Sequence, residues 1–157
     1  MRSTMNLSTR CRYATRAMLE MAKEYGKDPV SLKEIEERQQ ISRQYLQQLM
    51  PPLKKEGLIR VVKGKGGGFF LARKPSDIRI GEIIHAQEGN IAIVECVGTD
   101  DLCFHEDQCP TRDIWVEASR RLNDYFNSLT LEKVLKDWEK KEKPQKKKAK
   151  SRKRKPS

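Results

Sequence analysis

The sequence lacks several features that would assign it to a common class. No apolar run approaches the roughly 18 residues of a membrane span, and no signal-peptide pattern opens the chain. Close C-x-x-C pairs, typical of zinc ribbons and thioredoxin-like sites, are missing too. We therefore expect a cytoplasmic protein in which thiols serve metal or redox chemistry rather than disulfides. We expect neither a membrane partner nor a small-molecule substrate.

Positive charge is abundant but uneven. The net charge is +11, yet residues 140–157 alone hold eleven Lys or Arg and one acid. The other 139 residues hold 22 basic and 21 acidic side chains (33 − 11 and 22 − 1), so the body is nearly neutral. This tail has too few apolar residues to bury a core, and we predict that 140–157 is disordered. It could be a solubilising end, a non-specific phosphate contact, or the basis of RNA or ribosome association.

The first half predicts three helices separated by short turns. Apolar residues at three-four spacing predict a helix from Ser8 to Tyr25. Ser31 and Glu34 form a capping box for a short second helix, and Ser42 caps a third. Pro51 and the proline after it should end or kink this third helix.

The second and third helices have the layout of a helix-turn-helix, in which the latter helix enters a major groove. Its predicted outward residues are Arg43, Gln44, Gln47 and Gln48. Arg can bind guanine and Gln can bind adenine through paired hydrogen bonds. An ordinary solvated helix face would show the same residues, so this pattern alone leaves both interpretations open.

A glycine-rich hairpin follows. Residues 58–62 and 69–72 predict two strands, joined by Lys63, Gly64, Lys65 and three further glycines. Such a tip lets the backbone approach phosphates while the lysines neutralise them, as in the wing of a winged helix. The residues match neither the P-loop nor the dinucleotide-binding fingerprint, so a nucleotide loop is disfavoured.

The second half predicts a helix over 80–87, a brief strand over 91–94 and then a long helix. Trp115, Ala118, Leu122 and Leu129, with Tyr125 or Phe126, repeat near seven-residue spacing. Such a seam favours helix pairing between subunits, although packing within one chain is the alternative. Thr130 should cap a last helix.

Three cysteines lie between the predicted strand and the long helix. Cys96, Cys103 and Cys109 are separated by six and five residues, on one loop. Thiols so arranged can hold a soft metal or an iron–sulfur cluster. An enzyme with Cys103 as nucleophile and His105 as base is disfavoured, because no third group orients the pair.

These elements together resemble the Rrf-type winged-helix transcriptional regulators. The resemblance implies a mainly α fold with a small β wing. It also implies a winged helix-turn-helix domain over 5–75 and a cysteine loop with dimerisation helices over 76–139. The family start coincides with Met5, so residues 1–4 are an extension or a misplaced start. The matching motifs are Leu7–Arg10, Arg12–Ala14, Ile41–Ser42, Tyr45–Leu46, Leu53–Leu58, Gly64-x-Gly66–Gly68, Ile80–Ile84 and the three cysteines.

The resemblance further implies a homodimeric transcriptional regulator, not an enzyme, that binds a roughly palindromic operator. In cluster-bearing members three loop cysteines hold a 2Fe–2S or 4Fe–4S centre, which tunes DNA affinity. The alternative is the same regulator using zinc or direct thiol oxidation. The expected DNA contacts are Ser42, Arg43, Gln44, Tyr45, Gln47, Gln48, Arg60, Lys63, Lys65, Gly66 and Gly67.

The chain departs from the family at the fourth ligand. Some members place a histidine three residues after the third cysteine, where this chain has Arg112. Others use an acid at the start of the first helix of the other subunit, where this chain has Arg12. The neighbouring Cys11, supplied by that other subunit, is our first candidate for the fourth ligand, and His105 is the second. The weaker candidates are Asp100, Asp101, Glu106 and Asp107, and His85 is expected to be structural.

Overall fold

A computed structural model describes residues 7–98 and 109–152, and for Glu95, Gly98 and residues 142–152 it describes the backbone only. The fold is mainly helical with one small sheet, as predicted. Among the described residues, no helix combines the length and the apolar composition needed to cross a bilayer.

The first three helices begin where the sequence predicts them. Helix α1 spans Thr9–Lys23, α2 spans Leu32–Gln39 and α3 spans Arg43–Lys55. The Ser31 hydroxyl accepts a bond from the Glu34 amide at 3.2 Å, while the Glu34 carboxylate accepts one from the Ser31 amide at 2.8 Å. The capping box is thereby confirmed, because the amides of Ser31 and Glu34, which have no partner within the helix, each receive one.

Helix α3 continues through its two prolines to Lys55, so of the two predicted alternatives, an end or a kink, the end is wrong. Each proline leaves one carbonyl of the preceding turn without its helical donor. Those carbonyls belong to Gln47 and Gln48, which are exposed and can bond to water. Directly after the second proline, the side chain of Leu53 is fully buried and anchors the end of the helix.

The predicted hairpin is confirmed. Strand β1, Ile59–Val62, pairs antiparallel with β2, Gly68–Leu71, and Val62 faces Gly68 across the last pair. The backbone of Phe69 also exchanges hydrogen bonds of 2.8 Å in both directions with Val30, ahead of α2. This bridge fixes the hairpin beside the helix-turn-helix.

The chain then returns to the helical core. A 3₁₀ turn, Pro75–Asp77, precedes helix α4, Ile80–Glu88, which ends at Gly89 with a φ of 79°. The predicted strand over 91–94 is wrong. Its backbone bonds to side chains instead: the Ile93 amide donates to the Ser119 hydroxyl at 3.0 Å, and the Asn123 amide donates to the Ile91 carbonyl at 2.9 Å.

Three more helices follow within the described residues: α5, Glu95–Gly98, α6, Arg112–Ser128, and α7, Leu131–Arg152. The Thr130 hydroxyl caps α7 by accepting a bond from Lys133 at 3.2 Å. The backbone of α7 continues to Arg152, whereas the sequence predicts disorder from residue 140. Lys, Gln, Ala and Arg favour helix once a turn is formed, so a helix anchored at Leu131 propagates into this segment without a new nucleus.

One hydrophobic core supports the molecule. Its fully buried apolar residues come from α1, α2, α3, the hairpin and α4, and α7 adds Leu131. Core residues lie on both sides of residue 75, and the domain boundaries given above stay predictions.

Candidate nucleic-acid interface and cysteine site

The exposed face of α3 carries three of the predicted base-contacting residues, Gln44, Gln47 and Gln48. Their amides are free to offer a donor and an acceptor side by side, the pattern that adenine requires. Ser42 is occupied at the start of the helix, where its hydroxyl accepts a bond from the Tyr45 amide at 3.3 Å.

Two other predicted contacts on α3 are engaged within the protein. The Arg43 guanidinium lies 3.4 Å from the Glu36 carboxylate, which also accepts a bond from the Arg43 amide at 3.0 Å. The half-buried ring of Tyr45 meets Tyr13 edge-on, with centroids 5.7 Å apart. Arg43 must therefore exchange its partner to reach a base, and Tyr45 joins α3 to α1.

The wing presents positive charge without a compensating acid. The hairpin over 59–72 contains Arg60, Lys63 and Lys65, all exposed, and no Asp or Glu. Its tip depends on glycine. Gly66 has a φ of 76°, and a Cβ added to Gly67 would lie 2.3 Å from the Val62 carbonyl oxygen. This tight tip brings backbone and lysines to one exposed edge, which suits phosphate contact.

Two of the three loop cysteines lie among the described residues. Cys96 is in α5, and Cys109 precedes α6, where its carbonyl accepts a bond from the Arg112 amide at 3.3 Å. The Cys109 sulfur lies 3.5 Å from the Thr111 hydroxyl, and this bond holds the thiol pKa below its usual range. A lowered pKa favours the thiolate, the form that binds metals.

Helix α5 packs against α6, so the two ends of the cysteine loop belong to neighbouring elements. Cys103, His105 and the four acidic loop candidates lie outside the described residues. Among residues 7–98 and 109–152, no three His, Cys, Asp or Glu side chains gather as metal ligands would. The donor chemistry at the described ends nevertheless fits a soft metal or an iron–sulfur cluster.

Cys11 has a different environment. Its side chain is 3% exposed and belongs to the hydrophobic core. Burial, with a smaller contribution from the Glu88 charge, raises the thiol pKa to about 11, although Arg12 opposes this shift. A covered, protonated thiol is poorly suited to ligate a group held by another subunit. The geometry thus gives no support to Cys11 as the fourth ligand. His85 is exposed on α4.

The predicted apolar seam on α6 divides into two parts. Phe126 and Leu129 pack against the core of their own chain. Trp115 and Tyr125 are 37% and 58% exposed, and their exposed apolar neighbours on the helix are Ile114, Val116 and Leu122. Large apolar side chains concentrated on one helix typify a protein–protein interface.

Sequence reasoning missed a polar network behind the helix-turn-helix. Glu20 and Gln39 are buried at 1% and 6% exposure and bond to each other, and Arg16 bonds to Gln39. The available signal was Glu20 itself, an acid within the apolar repeat of α1, since buried charges require partners.

Comparison with known proteins gives a consistent assignment. The model of a family described as "Rrf2: Iron-dependent Transcriptional regulator" matches residues 7–137. The chain is 40% identical over 135 residues to the HTH-type transcriptional regulator IscR of Vibrio atlanticus, covering 86% of this chain and 78% of that protein.

Two solved structures are similar to this chain in both fold and sequence. IscR of T. potens is 38% identical with a TM-score of 0.69, over 85% of this chain and 88% of that one. CymR, the global cysteine regulator of B. subtilis, is 34% identical with a TM-score of 0.72, over 84% and 97%. Family match, relatives and fold agree: the chain belongs to the Rrf2 family of DNA-binding transcriptional regulators.

Proposed function

We propose that the chain is a cytoplasmic, homodimeric transcriptional regulator whose affinity for a palindromic operator is modulated by an iron–sulfur cluster on Cys96, Cys103 and Cys109. The observation that carries this proposal is the connection between the cysteine-bearing segment and the recognition helix. Cys96 follows the segment 91–94, which is bonded to α6, and α4 joins that segment to α3.

The DNA contacts are assigned by exposure and charge. Gln44, Gln47 and Gln48 would read base edges, and Lys63 and Lys65 would neutralise phosphates. Replacing Gln47 by Ala should cost about 1–3 kcal/mol on its preferred sequence and relax selectivity at one position. Replacing Lys65 by Ala should weaken binding to all sequences and reduce the slope of log K against log salt by about 0.9.

The homodimer is supported by the exposed apolar face of α6. Trp115 and Tyr125 are large aromatic side chains, the type that most often anchors interfaces. A two-fold dimer would present two copies of α3, so its operator should be palindromic, with half-sites about one helical turn apart.

The cysteine site is supported by its donors. A cluster held there would supply a centre that responds to redox state, iron–sulfur supply or nitric oxide. The protein contributes three sulfur ligands, with Cys109 predisposed to the thiolate by Thr111. The fourth ligand would come from the loop, with His105 as candidate, because Cys11 is buried.

A route from the cysteines to the DNA-reading helix runs along α4. The Ile91 carbonyl and the Ile93 amide bond to α6, and Gly89 connects this segment to α4. At the end of α4 the Gln87 amide donates to the Leu49 carbonyl of α3 at 3.0 Å. A change in the loop would thereby shift α4 and the recognition helix together. A coupling of 1–3 kcal/mol alters operator affinity roughly 5- to 150-fold.

The test is an anaerobic absorption spectrum with iron and sulfide counts on wild type, Cys103→Ser and Cys11→Ser. We expect visible absorption and stoichiometric sulfide in wild type, their loss in Cys103→Ser, and their retention in Cys11→Ser. A colourless protein with one zinc per subunit would contradict the cluster.

Direct thiol chemistry is the second candidate. It is favoured by the lowered pKa of Cys109 and by the similarity to a global cysteine regulator. In that case metal-free protein should lose operator affinity on treatment with peroxide and recover it with a dithiol reductant. Unchanged binding after complete oxidation of the loop thiols would exclude this candidate.

A further inference from the structure

The turn of the helix-turn-helix is held by one arginine of α1. Arg16 donates from Nε to the Gln39 side-chain oxygen at 2.8 Å and from Nη2 to the Gln39 backbone oxygen at 2.6 Å. Gln39 is the last residue of α2, and Gln40 after it adopts a left-handed conformation with a φ of 56°. The guanidinium therefore grips the chain where its direction changes toward α3.

The nitrogen of the Gln39 side-chain amide is fixed as well. Its amide donates to the Glu20 carboxylate, which is 1% exposed. Lys23 and Arg38 approach that carboxylate to 3.5 and 3.4 Å and compensate its charge. Gln39 thus uses both the donor and the acceptor of its side-chain amide, and two residues of α1 hold this side chain in place.

The same arginine also reaches toward the recognition helix. Its guanidinium carbon lies 5.4 Å from the centroid of the Tyr13 ring, and Tyr13 meets Tyr45 edge-on with an interplanar angle of 82°. Arg16 is therefore connected to the start of α3 by two paths, one through Gln39 and the turn, the other through the two aromatic rings.

We infer that Arg16 is a positioning residue for the recognition helix, which it orients without touching DNA. The inference rests on the proposed role of α3 in base contact. Groups that read a ligand must be held within about 0.5 Å of their productive geometry, and this requires fixed supporting residues. Lysine could not replace Arg16, because a single ammonium cannot reproduce two bonds of fixed direction together with ring stacking.

A purely structural role predicts something different. Arg16 bonds to the buried Gln39, so its removal leaves buried polar atoms without that donor and lowers the melting temperature whichever role it has. If Arg16 served stability alone, its loss would leave DNA binding unchanged at temperatures where the variant is fully folded. A positioning role predicts that affinity falls even at those temperatures.

The probe is a duplex selected from a random-sequence pool by the wild-type protein, with a scrambled duplex of equal length as reference. We expect Arg16→Met to lower affinity for the selected duplex about tenfold or more, as the loss of two charge-assisted bonds allows. Affinity for the scrambled duplex and the salt slope should stay unchanged. Arg16→Lys should recover little of the loss.

Arg10→Met is the matched control, because it removes the same charge from an exposed position of the same helix. Amide hydrogen exchange of the free protein supplies a readout independent of DNA. The amides of residues 40–45 should exchange faster in Arg16→Met than in Arg10→Met at a temperature where both variants are fully folded.

Two results would overturn the inference. Equal losses on both duplexes, with a salt slope lower by about 0.9 and full rescue by Lys, would make Arg16 a direct phosphate contact. Unchanged binding in Arg16→Met, with Gln47→Ala impaired, would leave Arg16 a surface residue of no consequence for recognition. If Gln47→Ala bound normally as well, the proposed role of α3 would fail instead.

Discussion

The segment from α1 to α4 and the helix α6 differ in how much of their apolar surface is buried within one chain. Among the residues that the structure describes, all the buried apolar side chains except Leu131 lie between Cys11 and Ile84, whereas the only buried residue of α6 is Ser119. Of the nine large apolar residues that are exposed in this part of the chain, five are on α6. The first region thus carries its own core, while α6 offers apolar surface that no described residue of the same chain covers.

This difference shows which region is stabilised by burial within its own chain and which region depends on another molecule for that burial. Burial of an apolar side chain contributes roughly 1.5–3 kcal/mol, so the first region can fold from its own contacts. The exposed face of α6 gains that contribution only in an assembly. In the proposed function, this division lets the DNA-binding region respond to changes at the cysteine site through the less buried α6.

The largest expected contrast is in thiol reactivity. In metal-free, reduced protein, Cys11 should react with iodoacetamide about a thousandfold or more slowly than Cys109, since the buried thiol requires opening of the core. Mass spectrometry of labelled peptides measures both rates together. Comparable rates under native conditions would remove the contrast, and equal rates in urea serve as the control.

The next contrast concerns stability. Leu46→Ala, in the core, should lower the free energy of unfolding by about 2–5 kcal/mol at any protein concentration, because it leaves a cavity. Urea denaturation at two concentrations measures it. The control is Leu122→Ala on α6, whose side chain is partly exposed and whose effect should vary with concentration. A large, concentration-independent loss in Leu122→Ala would contradict the division.

A third contrast separates α6 from other exposed aromatic positions. Tyr125→Ala should weaken self-association about 30-fold, corresponding to about 2 kcal/mol for an interface anchor. Tyr25→Ala removes the same side chain from an exposed site at the end of α1 and should leave self-association unchanged. Sedimentation equilibrium measures the self-association of both variants. Equal effects of the two substitutions would show that α6 is not the interface.

The smallest contrast compares two helix starts. Ser31→Ala should destabilise by about 1 kcal/mol near neutral pH, whereas Thr111→Ala should have little effect because its side chain makes no capping bond to α6. Bonds from the Ser31 backbone amide and hydroxyl lower the pKa of Glu34, so the contribution of the Glu34 carboxylate is present above the unfolded pKa of Glu34 and is lost as the pH falls through the lowered folded pKa. Urea titrations should therefore show a smaller difference between wild type and Ser31→Ala at acidic than at neutral pH, because the bond from the Glu34 amide to the Ser31 hydroxyl remains in acid whereas the bond from that hydroxyl to the carboxylate does not. A constant difference would contradict this.

Local chemistry explains which structural predictions succeeded. Ser8, Ser31 and Ser42 mark helix starts because a hydroxyl next to unpaired amides is sufficient to cap them. The hairpin followed from a glycine-rich tip between two apolar runs. Both features depend on residues a few positions apart.

Contacts between distant residues explain the failures. Residues 91–94 are apolar enough for a strand, but Ser119 and Asn123 occupy their backbone groups. Helix α3 continues past its prolines because the Leu53 side chain, which follows them, packs in the core. For the candidate site, residue types predicted the glutamine face and the lysine wing, while the burial of Cys11 depends on how α1 packs against the rest of the core.

Regulation of DNA binding by the cysteine site is tested most directly by the affinity of anaerobically purified protein for its selected duplex, before and after iron and sulfide are removed. We predict a change of at least about fivefold on removal. We also predict that Cys103→Ser binds like the stripped protein. Identical affinities in all three forms would contradict the claim that these cysteines regulate DNA binding.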